Sequence, residues 1–182
     1  LTTDEAVIAW TDAGIRDLHE HKWSSENQFV RVLYYRIALI VSYANDFLTQ
    51  ASDVNLSKKD FTQADKDKIK TYAAEARFLR AMAYWHALDL FRNVAVETQI
   101  SSEFPTQSKP EETFAFIEKE LLEVEKLLPA PRQNEYGRAD KAAVWMLLAK
   151  LYLNAEAMIA KPKYSECLSY AKKVIDAGYT LD

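Results

Sequence analysis

The sequence predicts an all-α protein, built as a TPR-like array of antiparallel helix hairpins. Glycine and proline are scarce, with 3 and 5 among 182 residues, so the tight turns and corners of sheet proteins have few places to form. Apolar residues recur every three or four positions in segments that polar or proline-containing breaks separate, which is the spacing of amphipathic helices. The length suits one helical (TPR-type) domain over residues 1–182, and we expect it to be part of a longer chain.

The first two predicted helices lie on either side of a polar break at residues 22–28. The first opens at Thr2-Thr3-Asp4-Glu5, which has the spacing of a capping box, and runs to about His21. The second runs from about Phe29 to Thr49. The positions at helical spacing are Val7, Trp10, Gly14 and Leu18 in the first helix, and Phe29, Val32, Leu33, Arg36, Ile37, Ile40 and Ala44 in the second.

The third predicted helix is the one around which we expect the others to pack. It is capped by Thr62 or Asp65 and ends near Phe91. From Tyr72 onward it is rich in alanine, leucine and arginine, which are strong helix formers, and it is apolar on nearly every side. Such a helix is normally buried on several faces. Its charged residues must then find partners, so we expect structural ion pairs for Glu75, Arg77 and Arg80.

Three further helices follow proline-containing breaks. The fourth begins near residues 108–111 and carries one apolar stripe, of Phe114, Ile117, Leu121, Val124 and Leu128. The fifth begins at Arg138 or Asp140, runs to about Glu156 and is apolar on most sides. The sixth spans residues 164–177, with an apolar face of Cys167, Leu168, Ala171, Val174 and Ile175 and with Gly178 as its C-terminal cap. Residues 94–96 are the one stretch that could be extended.

The sequence carries no recognisable catalytic or cofactor motif. It has no glycine-rich phosphate loop, no HExxH or GxSxG and no Cys/His metal spacing, so we predict no enzyme, no cofactor and no metal site. Four glutamates of the fourth helix are interpreted as a solvated face rather than an acid/base site. The single cysteine is expected to pack as a small hydrophobe. The glutamates are Glu118, Glu120, Glu123 and Glu125, and the cysteine is Cys167.

Charge and hydropathy exclude two further classes of partner. The net charge is −4, from 23 basic and 27 acidic residues, and no basic run or patch is present, so nucleic-acid binding is not expected. The longest uncharged apolar run on a predicted helix is about residues 37–44, which is far shorter than the ~20 residues that span a bilayer.

Five segments resemble, in the right order, the pattern of the SusD/RagB family of outer-membrane nutrient-binding lipoproteins. The central helix, EARFLRAMAYWHALDLFRNVAVET, is similar to the family's EARFLRAxAYxxLxxLxGxxP signature. The other matching segments are LYYRIALIVSYANDFLTQ, FAFIEKELLEVEKLLPAP, YGRADKAAVWMLLAKLYLNAE and YSECLSYAKKVIDAGYTL. One departure concerns the turn after the central helix, where the family's GDVPL is RNVAV here at residues 92–96. Because the glycine and proline are missing, we expect this turn to differ.

The resemblance implies a SusD-like α/α superhelix in a surface-exposed lipoprotein of the cell outer membrane. It implies glycan (oligosaccharide) binding and delivery to a TonB-dependent (SusC-like) transporter. It also implies that the protein is attached to the membrane only through a lipid anchor upstream of residue 1. Sugars stack on aromatic side chains that hydrogen-bonding groups flank, and such platforms usually lie on loops. We therefore predict Trp23 and Asn27 as ligand-binding residues. The alternative is that Trp23 packs against the end of the first helix.

Two other functions stay open at the level of sequence. A TPR-type protein-protein interaction scaffold would take a peptide in a groove lined by polar and basic side chains. An all-helical enzyme would hold several titratable groups with displaced pKa values in one pocket.

Overall fold

The computed structural model describes residues 2–3 and 5–180. This part of the chain contains eight helices and no strand, which confirms the all-α prediction. Ala95 and Gln107 form an isolated antiparallel bridge, at the place where the sequence suggested an extended segment. The helices are α1 Ile15–His19, α2 Gln28–Gln50, α3 Asp53–Leu56, α4 Gln63–Phe91, α5 Pro110–Val124, α6 Lys141–Leu153, α7 Ala155–Ile159 and α8 Tyr164–Asp176.

Backbone contacts divide the chain into residues 1–39 and residues 40–182, and each is described by itself. In the first unit the prediction of a long first helix is wrong. Of the described residues up to His21, only those of α1 are helical, and the positive φ of 87° at Gly14 marks its start. Val7 and Trp10 are 73% and 72% exposed, so the N-terminal half of the proposed apolar stripe is not packed, and a short helix without tertiary packing is not stable. Asp4, part of the proposed capping box, lies outside the described residues.

In the second unit α4 is the helix that the sequence predicted, with the predicted cap. The Thr62 hydroxyl accepts from the backbone N–H of Asp65, and the Asp65 carboxylate accepts from the backbone N–H of Thr62. This reciprocal capping box satisfies two N–H groups that a helix start otherwise leaves unpaired. Eight residues of α4 are buried, and four of them are alanines, which lets neighbouring helices approach closely: Ala74, Phe78, Arg80, Ala81, Ala83, Tyr84, Ala87 and Leu88.

Two antiparallel hairpins form the second unit. In the first, Arg77 of α4 pairs with Glu123 of α5, whereas Tyr84, further along α4, contacts Phe116, nearer the start of α5. The stripe of α5 is buried as predicted at Phe114, Ile117, Leu121, Val124 and Leu128. The second hairpin pairs α6 with α8, and α5 packs on α6 and α7.

Periodicity overstated the burial of α2 and α8. Val32, Leu33 and Ile40 belong to the predicted stripe of α2 but are exposed. No residue of α8 is fully buried, and its predicted inner residues Leu168 and Ile175 are exposed. A pattern of apolar residues shows which helix face would prefer to be covered, whereas only the neighbouring elements decide whether it is covered.

Two lysines connect the α6–α8 hairpin to α5. The Lys163 ammonium lies 5.8 Å from the ring centre of Phe114 and 5.1 Å from that of Tyr152, and it donates to Glu118 at 2.8 Å. The Lys173 ammonium lies 4.2 Å from the ring centre of Tyr170. It also faces the ring of Trp145 and donates to Glu125 at 3.0 Å. Each cation therefore combines an ion pair with attraction to two aromatic faces.

The turn after α4 has a positive φ at Arg92, the position of the glycine in the family pattern. Arg92 has φ 61° and ψ −67°, and the backbone N–H of Asn93 donates to the carbonyl of Phe91 at 2.7 Å. This is a three-residue γ-turn in the strained, positive-φ form. The Arg92 side chain donates to the carbonyl of Ala157 in α7 at 3.2 Å, a bond that glycine could not make.

Candidate functional site

The buried charges of α4 are paired, as predicted, and their main partner is Glu120 of α5. The Glu120 carboxylate accepts from Arg77 at 2.7 and 3.2 Å and from Arg80 at 2.8 Å. Arg80 also donates to the side-chain oxygen of Asn45 in α2 at 2.7 Å. Burial by itself would raise the pKa of Glu120, but the hydrogen bonds and charges of the two arginines outweigh it and lower that pKa. The network is thus an ionised link between helices, although the Nε of Arg80 is buried without a hydrogen-bond partner.

The interpretation of the α5 glutamates as a solvated face is therefore wrong for several of them. Glu120 is only 7% exposed. Glu118 and Glu125 are half-buried beneath Lys163 and Lys173, and Glu125 also accepts from the indole N–H of Trp145 at 2.7 Å. Their partners come from other helices, which a single-helix pattern does not contain. None of these contacts assembles an acid/base pair, since each carboxylate faces a cation.

The loop that carries Trp23 lies between α1 and α2. Trp23 is 44% exposed and touches His21 edge-to-face, with ring centres 5.7 Å apart. Asn27 is 7% exposed and caps α2, because its side-chain oxygen accepts from the backbone N–H of Phe29 at 3.0 Å. Its amide N–H donates to the carbonyl of Gly14 at 2.8 Å. Trp23 thus offers a ring at the surface, whereas the polar atoms of Asn27 hold the loop.

A second loop, between α5 and α6, borders a surface groove of about 610 Å³. We call it the Tyr136 groove. Its floor is largely apolar, and its rim carries polar and charged side chains. The floor includes Ala142, Ala143, Met146 and Val174, and the rim includes Arg132, Asn134, Glu135, Tyr136, Arg138, Asp140 and Tyr179.

Asp140 organises one side of this groove. One carboxylate oxygen caps α6 by accepting from the backbone N–H groups of Ala142 and Ala143, at 2.9 and 3.1 Å. The other accepts from the backbone N–H of Arg132 at 2.8 Å and from the hydroxyl of Tyr179 at 2.7 Å. Burial would raise the pKa of Asp140, but these four hydrogen bonds lower it. The ionised carboxylate therefore joins the loop to α6 and to the segment after α8.

Glu75 of α4 anchors the other side of the loop. It accepts from the guanidinium of Arg138 at 2.6 and 3.1 Å and from the side-chain amide of Asn134 at 2.8 Å. The Arg138 guanidinium also lies 4.6 Å from the ring centre of Tyr72. The prediction that Glu75 makes a structural ion pair is confirmed.

The Tyr136 groove was missed at the level of sequence. Tyr136 is fully exposed, and the one signal for it was an aromatic residue inside a polar loop directly before a glycine. Its neighbours in the groove come from α6 and α8, so only the folded chain brings them together.

Within residues 2–3 and 5–180, no three His, Cys, Asp or Glu side chains are placed to hold a metal ion. In the same residues, no helix combines the length and the apolar character that crossing a membrane requires.

Comparison with known proteins places the chain in a family. The model of a SusD-like family, described as starch-binding and associating with the outer membrane, matches residues 2–153. The starch-binding protein SusD of Bacteroides thetaiotaomicron is 36% identical over 182 residues, which is 100% of this chain and 31% of that protein.

Solved structures agree with this relationship. A SusD homologue from Bacteroides thetaiotaomicron superposes with a TM-score of 0.77 and 27% identity, over 91% of this chain and 33% of the other. A laminarin-binding SusD-like protein superposes with a TM-score of 0.75 over 93% of this chain and 36% of the other; at 24% identity this likeness shows the fold alone. The chain spans about a third of the length of these relatives. The family match and the identity along the whole chain show that this protein belongs to the SusD-like family.

Proposed function

We propose that the complete protein binds an oligosaccharide at the cell surface and delivers it to a TonB-dependent, SusC-like transporter of the outer membrane. The observation that carries the proposal is the 36% identity along the whole chain to the starch-binding protein SusD. Starch-type glucans are accordingly the first ligands to test. The lipoprotein anchor and the location in the outer membrane belong to the same proposal.

The chemistry of the described residues supports binding rather than catalysis. The carboxylates of Glu120, Glu125 and Asp140 each face a cation or a set of hydrogen-bond donors, which lowers their pKa values and makes them poor proton donors near neutral pH. Their hydrogen bonds hold helices and loops in fixed positions. A preorganised scaffold with aromatic side chains on loops suits the recognition of a sugar.

Within this function we assign different roles to Trp23 and Asn27. The exposed ring of Trp23 provides an apolar face on which a pyranose can stack. Asn27 is buried, and both its side-chain oxygen and its amide N–H are hydrogen-bonded to nearby backbone groups. We therefore propose that it positions the loop that displays Trp23.

Affinity electrophoresis of the complete protein, in gels that contain starch, laminarin or xyloglucan, tests the proposal. We expect retardation by at least one polysaccharide. The Trp23→Ala variant should bind about tenfold more weakly, which corresponds to the ~1.4 kcal/mol expected for one aromatic stacking contact. Trp10→Ala is the matched control, because Trp10 is also an exposed tryptophan of the same unit. Unchanged mobility of the wild-type protein in every gel would contradict glycan binding.

Delivery to a transporter is a separate step with its own test. Gentle detergent extraction of outer membranes should recover the complete protein together with a TonB-dependent barrel protein. Recovery of the protein free of any such barrel, under conditions in which it still binds glycan, would remove the transporter from the proposal.

A further inference from the structure

We propose that the Tyr136 groove is a second sugar-binding subsite, which stacks one uncharged hexose unit on the ring of Tyr136. The inference rests on the proposed function, because it assumes that the complete protein binds an oligosaccharide. The groove lies wholly within residues 129–179, and none of its residues belongs to the Trp23 loop.

The loop that displays Tyr136 is held in place from both sides. Asn134 donates to the carbonyl of Ala139 at 2.7 Å, and Arg138 is bound to Glu75 of α4. The backbone N–H of Arg132 is bound to Asp140. An aromatic side chain on a loop fixed in this way costs little conformational entropy when a ligand immobilises it.

Tyr136 itself is exposed to solvent rather than packed against the protein. Its side chain is fully exposed although the loop around it is tied down. Gly137 beside it has φ 82°, and a Cβ atom built on Gly137 would meet nothing within 4 Å. The space beside the ring is therefore open, as it must be for a sugar to approach.

The size and composition of the groove suit a sugar. Its volume of about 610 Å³ falls in the range of ~300–1,000 Å³ that is typical of small-molecule sites. Ala142, Ala143, Met146 and Val174 make the floor apolar. A pyranose presents one face of C–H groups and a rim of hydroxyls, so an apolar floor with a polar rim matches both parts of it.

The charged side chains of the groove indicate the charge of its ligand. Arg138 and Asp140 are committed to Glu75 and to the four hydrogen bonds described above. Two charged rim groups keep hydrogen-bonding capacity. The Glu135 side chain is 82% exposed with a single ion pair at 3.6 Å, and the Arg132 guanidinium makes one long bond of 3.4 Å to the carbonyl of Gly178. One acceptor and one donor of opposite charge suit neutral hydroxyl groups better than an anion or a cation.

The test uses the complete protein and measures affinity by isothermal titration with maltoheptaose, laminariheptaose and a xyloglucan oligosaccharide. For an oligosaccharide that binds, Tyr136→Ala should weaken the affinity about tenfold, and Tyr136→Phe should restore it, because phenylalanine keeps the ring face. Ala143→Phe, which fills the floor, should weaken the affinity to a similar degree. Tyr43→Ala is the matched control, since Tyr43 is an exposed tyrosine of α2, and it should leave the affinity unchanged.

The outcomes separate the subsite from the function on which it rests. If an oligosaccharide binds and Trp23→Ala weakens it, but Tyr136→Ala and Ala143→Phe leave the affinity unchanged, the subsite is refuted and the proposed function stands. If Tyr136→Ala abolishes recovery of the transporter without changing glycan affinity, the groove binds protein and the subsite is again refuted. If none of the three oligosaccharides binds the wild-type protein, the subsite falls together with glycan binding. Equal melting temperatures of wild type and Tyr136→Ala confirm that any lost affinity is not lost folding.

Discussion

The loop before α2 and the loop before α6 end in the same way and are anchored differently. Each ends in a short polar side chain that accepts hydrogen bonds from the first turn of the following helix, Asn27 in one loop and Asp140 in the other. Each cap residue also binds backbone earlier in the chain, at Gly14 and at Arg132. Each loop displays an exposed aromatic residue, Trp23 or Tyr136.

The difference lies in the reach of the contacts. The side-chain bonds of Asn27 connect residues at most 13 positions apart. The loop before α6 is bound to Glu75 of α4, 63 positions from Arg138, and through Asp140 to Tyr179, 39 positions away. A local cap fixes the start of one helix, whereas the long-range bonds tie a loop to a hairpin partner and to α4. We therefore expect the second loop to contribute more to global stability.

The largest effect is expected from Glu75→Ala, which removes the anchor of the second loop. The half-buried guanidinium of Arg138 loses its main partner, so the free energy of unfolding of the complete protein should fall by about 3 kcal/mol. Denaturant unfolding measures it. Glu111→Ala, at an exposed position in the first turn of α5, is the control and should change stability by less than about 0.5 kcal/mol. Equal losses for the two variants would show that the loop is not anchored through α4.

Asp140→Ala should rank second, with a loss of about 2 kcal/mol. About half of this comes from the helix cap and the rest from the bonds to Arg132 and Tyr179. Hydrogen exchange at the backbone N–H groups of Ala142 and Ala143 should also become faster, because both lose their acceptor. Unchanged exchange at these two positions would contradict the capping role.

Asn27→Ala should cost about 1 kcal/mol, the usual value of a helix cap. Asn27→Asp retains an acceptor for Phe29 but places a carboxylate oxygen against the carbonyl of Gly14, so it should recover only part of the loss. The same denaturant measurement applies. A loss from Asn27→Ala as large as that from Asp140→Ala would remove the distinction between local and long-range anchoring.

The smallest effect is a difference in pH dependence between the two caps. The pKa of Asp140 is lowered, so its contribution to stability is present above its ordinary pKa of 3.8 and is lost as the pH falls through the lower value of the folded state. Asn27 does not titrate. The stability difference between wild type and Asp140→Asn should shrink on acidification below about pH 4, whereas that between wild type and Asn27→Ala should stay constant. Parallel curves for both pairs would show that Asp140 is not held ionised by its bonds.

Sequence predicted those parts of the fold whose cause is local. The cap of α4 lies within four consecutive residues, Thr62 to Asp65. The buried stripe of α5 follows from apolar residues that recur every three or four positions. The long first helix failed because Gly14 was read as a stripe position, although its left-handed backbone marks the start of α1. An amphipathic pattern was present there, but no surface covers Val7 or Trp10.

The charged network and the groove could not be predicted because their parts come from distant elements. Glu120 looked like one of four solvated glutamates, and it is buried because two arginines 40 and 43 positions earlier reach it. The sequence placed Trp23 correctly on a loop, but gave no sign that Asn27 is buried as a cap. The Tyr136 groove depends on the meeting of a loop with α6 and α8, which no local pattern encodes.

Lys163 and Lys173 join the α6–α8 hairpin to α5, and their reactivity toward an amine reagent can report whether α8 is docked. An amine reagent must reach the side-chain nitrogen, and the nitrogens of Lys163 and Lys173 each bind a glutamate and lie against aromatic rings. They should acylate slowly while α8 is docked, and at the rate of an ordinary surface lysine once it detaches. Mass spectrometry of these two side chains over time would therefore report the opening of a single helix within the complete protein.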